Sequence, residues 1–318
     1  MTILITGGTG FIGCHLARAL LAEGHDVTIA GYSGQAKPPW PWTPEMDARR
    51  VQLDVRDKAA VERVVARVRP EEVYHLAAQS LPALSWKIPE ETMLTNALGT
   101  IHLFEAFRAL GLKPRTFVAC SSAEYGLVPP QETPVKEERI LRPVHPYGVS
   151  KVAQDLLAAQ YALNDGIPAI RGRIFNTTGP GKSQDAPGDF AERVVAAERA
   201  GGGVLRVGNL TPRRDLSDVR DQVRAIVGIT RKGRAGEAYN VSSGRTVVMQ
   251  DVAEAFTRHA RAPVRIEVDP SLFRPTDEPV IWGDSAKLRA VVGDWARVPL
   301  EKTVDDMLRQ VRGEDVDL

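Results

Sequence analysis

The chain of 318 residues has little of several features that mark common protein classes. Its two cysteines, Cys14 and Cys120, make a disulfide framework implausible and read as reduced thiols. With 41 basic and 40 acidic residues it has no charge excess for nucleic acid or an anionic membrane. It has no run of about 18 apolar residues to cross a bilayer, and "MTILITGG" is too short for a secretory signal. We therefore expect a cytoplasmic globular protein without a membrane or nucleic-acid partner.

What the first half does contain is a regular alternation of two patterns. Short β-branched runs predict strands at 2–6, 26–30, 49–55, 71–77, 115–121 and 167–175. Helical periodicity predicts helices at 11–24, 57–68, 90–111, 146–164 and, later in the chain, 188–200. This order predicts an α/β fold, a doubly wound parallel (Rossmann) sheet that binds its ligand at the carboxyl ends of the strands.

The pattern loosens after Phe175, where a loop rich in glycine and proline begins. We expect a large dinucleotide-binding domain from residues 1–175 together with about 213–243. Residues of about 176–212 and 244–318 would form a smaller, discontinuous α/β lobe for the substrate.

The segment "GGTGFIG" places Gly7, Gly10 and Gly13 directly after the first predicted strand, where the first helix opens. Glycines there allow a tight turn and a close approach of a pyrophosphate to free N–H groups of the helix. The segment therefore predicts a nicotinamide dinucleotide cofactor. The second strand ends in "IAGYSG", which lacks the acid that usually holds the ribose diol of NAD, so the sequence slightly favours NADP(H) over NAD(H). Lys37 and Arg49 lie within range of a 2′-phosphate.

The segment "HPYGVSK" brings Tyr147 and Lys151 onto one face of a predicted helix, one turn apart. A phenol is a poor acid–base group at neutral pH, and a neighbouring ammonium favours the phenolate. The pair could therefore exchange a proton with a sugar hydroxyl or carbonyl group. No metal is needed for this chemistry, and we expect none.

Taken in order along the chain, these motifs resemble the extended short-chain dehydrogenase/reductases that act on nucleotide sugars. The resemblance covers nearly the whole chain and looks closest to the GDP-4-keto-6-deoxy-mannose reductases, with the GDP-mannose 4,6-dehydratases next. It is carried by the glycine turn, "HLAAQS" (75–80), "SSAEYG" (121–126), "PYGVSKVAQDL" (146–156), "FNTTGPG" (175–181) and "VGNLTPRRDLSDVRD" (207–221). Relatives of this kind pair through the helices near 90–111 and 146–164, which implies a homodimer.

The resemblance also implies a role for individual residues. Ser121, Tyr147 and Lys151 would be catalytic, and Glu124 would join them only if the site also removed a proton from carbon. The cofactor would contact Gly7, Gly10, Phe11, Ile12, Gly13, Asp54, Val55, Leu76, Ala77, Ala78, Gln79 and Asn96. The nucleotide sugar would contact Ser80, Ser122, Asn176, Arg214 and Arg274.

The segment "SSAEYG" decides between reactions in this comparison. In the dehydratases that the chain resembles, the base that takes the C5 proton is a glutamate two residues after the catalytic hydroxyl, and that position here is Ala123. Glu124 follows one place later, and on an extended strand neighbouring side chains face opposite ways. A positioned base is worth about 10² to 10⁴ in rate, so we expect oxidoreduction without dehydration.

The preferred prediction is therefore an NAD(P)H-dependent reductase of a nucleotide-linked 4-keto-6-deoxy hexose. A 4-epimerase with tightly bound NAD remains open, as does a 4,6-dehydratase that uses Glu124. A non-catalytic cofactor sensor is a fourth reading, although a sensor would need neither Tyr147 nor Lys151.

Overall fold

The computed structural model describes residues 1–32, 40–273 and 279–316. Its strands are β1 (Thr2–Thr6), β2 (Asp26–Gly31), β3 (Arg50–Gln52), β4 (Glu72–His75), β5 (Arg115–Ser121), β6 (Ala169–Ile174), β7 (Asn176–Thr178), β8 (Gly203–Val207), β9 (Arg213–Arg214), β10 (Leu216–Asp218), β11 (Ala238–Val241), β12 (Val247–Val248), β13 (Val264–Val268) and β14 (Val280–Ile281). Its α-helices are α1 (Phe11–Ala22), α2 (Pro44–Ala48), α3 (Lys58–Val68), α4 (Pro82–Ser85), α5 (Pro89–Met93), α6 (Gly99–Ala109), α7 (Pro146–Asn164), α8 (Ala186–Arg199), α9 (Val219–Lys232), α10 (Met249–Arg258), α11 (Ala286–Val292) and α12 (Leu300–Arg312). Within these ranges, none of the helices has both the length and the apolar character needed to cross a membrane. The cytoplasmic location stays a prediction.

Seven parallel strands form the central sheet, in the order β3-β2-β1-β4-β5-β6-β11. Its strands are apolar on both faces because both faces are covered by helices. Helices α1, α9 and α11 pack on one face, and α3, α6 and α7 pack on the other. The predicted doubly wound Rossmann fold is confirmed by this topology.

Two predicted strands are shorter in the structure because the chain turns away at the sheet's carboxyl edge. The run 49–55 pairs only as β3, and its continuation bends where the Asp54 carboxylate accepts a hydrogen bond from the Arg56 amide at 2.9 Å. The run 71–77 pairs only as β4. The predicted helix 90–111 is α5 followed by a π-helical turn, Leu94–Leu98, and then α6. These turns open the edge at which the cavity forms.

The second half builds a smaller apolar core between α8, α10 and α12. Three small sheets accompany it: β8 with β13, β7 with β10, and β9 between β12 and β14. Between the segments that form these small sheets, the chain returns to the large sheet. There α9 covers one face and β11 forms the outer strand. The exact division into two domains stays a prediction.

Candidate active site

A cavity of about 780 Å³ opens at the carboxyl ends of the central strands. It brings together most of the residues that the sequence singled out. Those that line it are Gly7, Gly10, Phe11, Ile12, Gly13, Asp54, Val55, Leu76, Ala77, Ala78, Gln79, Ser80, Ser121, Ser122, Tyr147, Lys151 and Asn176. Asn96, Glu124 and Arg214 are described but are not part of this lining, and Arg274 lies outside the described residues.

The glycine turn is tight enough to need glycine at two positions. Gly7 has a φ of +69°, and a Cβ there would lie 2.6 Å from the backbone nitrogen of Ala77. A Cβ on Gly13 would lie 2.5 Å from the Gly7 carbonyl oxygen. Helix α1 starts directly after Gly10, and no side chain caps it. Its first N–H groups thus face the cavity edge with positive potential, an arrangement that fits a pyrophosphate.

Asn96 braces one wall of the cavity through its bonds to Gln79, which is part of the lining. Its side-chain oxygen accepts a hydrogen bond from the Gln79 amide at 2.8 Å, and its amide nitrogen donates to the Gln79 carbonyl at 3.0 Å. The same nitrogen donates to the Ser150 hydroxyl at 2.8 Å, which connects the wall to α7. Asn96 is fully buried, so it can brace the cofactor channel without contacting a ligand itself.

The chain after β5 forms a capped 3₁₀ turn from Ser122 to Tyr125. The Ser121 hydroxyl accepts from the Ala123 amide at 3.2 Å, and the Glu124 carboxylate accepts from the Ser121 amide at 2.7 Å. This reciprocal pairing is a capping box, which satisfies the free amides at the start of the turn. It also directs Ala123 into the cavity and Glu124 into the core.

Glu124 belongs to a buried charge cluster beneath the site. Its carboxylate lies 3.4 Å from Arg173 Nε, which in turn donates to Asp155 at 3.0 Å. Arg171 also pairs with Asp155. Burial raises the pKa of Glu124, and the neighbouring Asp155 raises it further. The two guanidinium groups outweigh the burial of Asp155 and lower its pKa. The Glu124 carboxylate thus interacts with Arg173 and the Ser121 amide in the core and does not face the cavity.

Tyr147 and Lys151 lie on the first two turns of α7, as their spacing predicted. The Lys151 Nζ lies 5.8 Å from the centre of the Tyr147 ring. Burial raises the pKa of Tyr147 to about 12 and lowers that of Lys151 to about 8. The sequence reasoning expected Lys151 to favour the phenolate, whereas in the structure the burial of Tyr147 favours the protonated phenol and outweighs the opposing effect of Ser121.

The far end of the cavity carries two residues that sequence reasoning missed, Tyr32 and Arg56. The Arg56 guanidinium lies 5.4 Å from the centre of the Tyr32 ring and is held by both oxygens of Asp54, at 2.7 and 3.0 Å. Arg56 directly follows Asp54 and Val55, which were predicted to contact the cofactor, and this adjacency could have identified it from the sequence. Arg49 instead pairs with Asp26 at the amino end of β2, on the opposite edge of the sheet. Lys37 lies outside the described residues.

The substrate side of the cavity differs in part from expectation. Asn176 lines it and donates to the Asp215 carbonyl at 3.1 Å. Arg214 lies in β9, where its side chain bonds to the Arg213 carbonyl at 3.0 Å, and it is not among the residues that line the cavity. Lys182, Ser183 and Gln184 do line the cavity although they were not predicted individually. They belong to the glycine- and proline-rich loop after Phe175, so only the loop could have been found from sequence.

Comparisons with known proteins agree with this geometry. A family model described as GDP-mannose 4,6 dehydratase matches residues 4–307. The chain belongs to this family. It is 30% identical to a GDP-6-deoxy-D-mannose reductase from Pseudomonas aeruginosa, over 97% of this chain and 95% of that protein. It is also 30% identical to a GDP-mannose 4,6-dehydratase from Sinorhizobium fredii, over 98% and 96%.

Solved structures give the same result. The protein RMD from Pseudomonas aeruginosa, complexed with NADPH, superimposes with a TM-score of 0.84 at 26% identity, covering 98% of this chain and 97% of that one. A UDP-glucose 4-epimerase from Thermus thermophilus, in complex with NAD, superimposes with a TM-score of 0.85 at 29% identity, covering 98% and 99%. The predicted membership among nucleotide-sugar dehydrogenase/reductases, and hence the prediction of an enzyme, is confirmed.

Proposed function

We propose that this member of the family reduces a nucleotide-linked 4-keto-6-deoxy hexose of the GDP-4-keto-6-deoxy-mannose type with NAD(P)H. The observation that carries the proposal is the pair of positions after Ser122. The cavity side carries Ala123, which cannot take a proton, while the Glu124 carboxylate faces the core and is bonded to the Ser121 amide. Among the described residues, the carboxylates that line the cavity are Asp54 and Glu91, and both bond to Arg56 at its far end. The site therefore favours oxygen chemistry over removal of the C5 hydrogen.

The three catalytic side chains have distinct tasks in this proposal. Tyr147 is protonated at neutral pH, so it can give its proton to the O4 atom of the sugar as the ketone is reduced. Ser121 donates a second hydrogen bond to the same oxygen. Lys151, buried one turn away, stabilises the phenolate that Tyr147 leaves behind.

A nicotinamide dinucleotide fits the residues on the other half of the cavity, and the prediction of this cofactor class agrees with the NADPH and NAD bound to the two structural neighbours. When bound, it supplies the hydride for C4. The uncapped start of α1 and the glycine turn would hold the pyrophosphate, and Asp54 and Val55 would lie at the adenine end. We propose NADP(H) over NAD(H), because the sequence has no carboxylate from Tyr32 to Pro44 and the Arg56 guanidinium lies at that end of the cavity.

The direct test is to mix the purified protein with NADPH and GDP-4-keto-6-deoxy-mannose and to follow absorbance and product together. One NADPH oxidised per 4-hydroxy sugar formed is the expected result. No oxidation of either cofactor would overturn the proposal. Interconversion of two nucleotide hexoses by protein that retains NAD would identify an epimerase instead. Release of water from GDP-mannose, abolished by Glu124→Gln, would identify a dehydratase.

We also propose a homodimer, on the evidence of an apolar surface along α7. Val149, Leu156 and Leu163 lie seven residues apart and are 46%, 56% and 84% exposed. The π-helical turn packs against α7 and adds Leu94, which is 39% exposed. An apolar heptad stripe of this kind is suited to helix pairing. Sedimentation of the purified protein tests the proposal, and a monomer at micromolar concentration would contradict it.

A further inference from the structure

The ammonium group of Lys151 is held from below by a hydrogen-bond network that the reaction as described does not use. Lys151 Nζ donates to the Ala119 carbonyl at 2.7 Å and to the Gln154 side-chain oxygen at 2.7 Å. An ammonium has three N–H groups. Two are therefore committed to the protein, and a third is left for the cavity, which Lys151 lines.

The orientation of the Gln154 amide follows from its other contact. Its nitrogen lies 3.0 Å from the Thr100 hydroxyl oxygen, and that hydroxyl donates its own proton to the Asn96 carbonyl at 2.6 Å. Thr100 thus has no proton to give to Gln154 and can only accept from it. The amide NH₂ must face Thr100, so the amide oxygen must face Lys151.

The same logic extends one residue further, to His75. Its Nε2 lies 3.0 Å from the Thr100 hydroxyl and must donate, and its Nδ1 accepts from the Thr6 hydroxyl at 2.7 Å. Burial lowers the pKa of His75 to about 3, so the ring is neutral and carries one proton, as these two contacts require. The protons of the Thr6 hydroxyl, the Thr100 hydroxyl and the His75 ring each have a fixed acceptor, so this part of the network orients groups and does not relay protons.

We propose that Gln154 is a positioning residue that fixes the Lys151 ammonium under Tyr147 and stabilises its charged form through the amide oxygen. The relevance of this role to turnover rests on the proposed reductase function. Gln154 is fully buried and does not line the cavity, so it acts only through Lys151.

Several other titratable groups near Lys151 also influence its pKa. Tyr147 lies on the same helix, His75 comes from β4, Cys120 from β5 and Glu124 from the following turn. Burial lowers the pKa of Lys151 to about 8, which makes its charge sensitive to the loss of one acceptor. A hydrogen bond to a charged group corresponds to about one pKa unit or more.

The experiment measures the ionisation of Lys151 without a substrate, by pH-dependent labelling with acetic anhydride and mass spectrometry of the Lys151 peptide. Gln154→Leu removes the acceptor and should lower the labelling midpoint by about one pH unit. Gln154→Glu places a carboxylate there and should raise the midpoint. A Gln154→Leu protein that labels with the parent's midpoint would overturn the proposal, and so would shifts of both variants in the same direction.

Matched variants separate positioning from general damage to the fold. Gln222→Leu is the same change at a fully buried glutamine of α9 and should leave the Lys151 midpoint unchanged. Thr100→Val frees the Gln154 amide to turn over and should shift the midpoint in the direction of Gln154→Leu. Thr100→Ser keeps the hydroxyl and should restore the parent value. A shift in Gln222→Leu equal to that in Gln154→Leu would count against the proposal.

A second readout connects the network to turnover. In the reductase assay Gln154→Leu should lower kcat about tenfold or more, leave the KM for the sugar nearly unchanged, and move the alkaline limb of the kcat profile to lower pH. A raised KM with an unchanged kcat would contradict a positioning role. If the labelling midpoints shift as expected but no nucleotide sugar is reduced by the parent protein, the proposed function fails while the role of Gln154 stands.

Discussion

The two faces of α7 reverse the usual arrangement of an amphipathic helix. The face that packs against the sheet carries Tyr147, Lys151, Gln154 and Asp155, all of which are polar and buried. The opposite face carries the exposed stripe of Val149, Leu156 and Leu163. Helices of globular proteins normally bury their apolar face and expose their polar one.

The reversal indicates that each face is stabilised by contacts with groups outside the helix. Buried polar groups are tolerated when they have hydrogen-bond partners, and here β5, α6 and β6 supply partners for Lys151, Gln154 and Asp155. Exposed apolar side chains are tolerated when something covers them, for which we propose a second copy of the chain. One face should therefore control chemistry and stability, and the other only assembly.

The largest effect is expected from removing the phenol on the buried face. Tyr147→Phe should lower kcat by about 10² to 10⁴, because the proton donor to O4 is lost, while sedimentation stays that of the parent. NADPH oxidation with GDP-4-keto-6-deoxy-mannose measures the loss. Tyr161→Phe, which removes a phenol bonded to Glu105 elsewhere on α7, is the matched control and should keep its activity. A fully active Tyr147→Phe protein would remove the chemical role of this face.

The next effect concerns stability. Asp155→Ala would leave Arg171 and Arg173 without their shared counter-charge in the core and should lower the free energy of unfolding by about 3 to 5 kcal/mol. Urea unfolding measures it. Glu62→Ala breaks an exposed pair with Lys58 on α3 and should change stability by less than about 1 kcal/mol. Equal losses in the two variants would show that the buried cluster contributes no more to the free energy of unfolding than an exposed ion pair does.

A smaller effect is expected from the exposed face, and it should appear in assembly alone. Leu156→Glu places a charge in the apolar stripe and should weaken dimerisation about tenfold or more, without lowering the stability of the monomer. Analytical ultracentrifugation over a range of concentrations tests this. The same change at Leu272, an exposed leucine in the second half of the chain, serves as the control. If only the Leu272 variant dissociates, the stripe is not the interface.

The smallest effect is expected at Glu124. Glu124→Gln keeps an oxygen for the Ser121 amide, so reductase activity should stay near that of the parent. Because burial raises the pKa of Glu124 in the folded protein, folding favours the protonated carboxyl. The parent should therefore lose stability relative to the variant as the pH rises above the ordinary glutamate range. Complete loss of activity would instead support the dehydratase reading.

Local patterns predicted α7 well because its start and end are set by nearby residues. Pro146 fits the first turn and the His145 ring caps it by accepting from the Gly148 amide, and Gly166 follows the end with a φ of +64°. The predicted range 146–164 is the observed one. In the second half of the chain, β9, β12 and β14 have two residues each. Strands that short have no periodicity of their own and form only because a partner strand lies beside them.

For Glu124, the sequence reasoning predicted the correct direction of the side chain, but the reason it gave was incomplete. Strand alternation predicted that it faces away from the ligand, but β5 ends at Ser121 before the alternation could apply. Its direction is set by the capping box and by Arg173, which lies 49 residues further along the chain. For Arg49 the prediction was wrong. Its position in the sequence suggested that it could reach the cofactor, but in the folded sheet it lies at the opposite edge, paired with Asp26.

The sequence by itself determined the sheet, the glycine turn and the spacing of Tyr147 and Lys151, because these depend on periodicity, on backbone freedom at glycine and on the pitch of one helix. Only the tertiary structure decided which way Glu124 and the Gln154 amide face and that burial raises the pKa of Tyr147. Those properties depend on burial and on hydrogen bonds between distant segments, which meet only when the chain is folded.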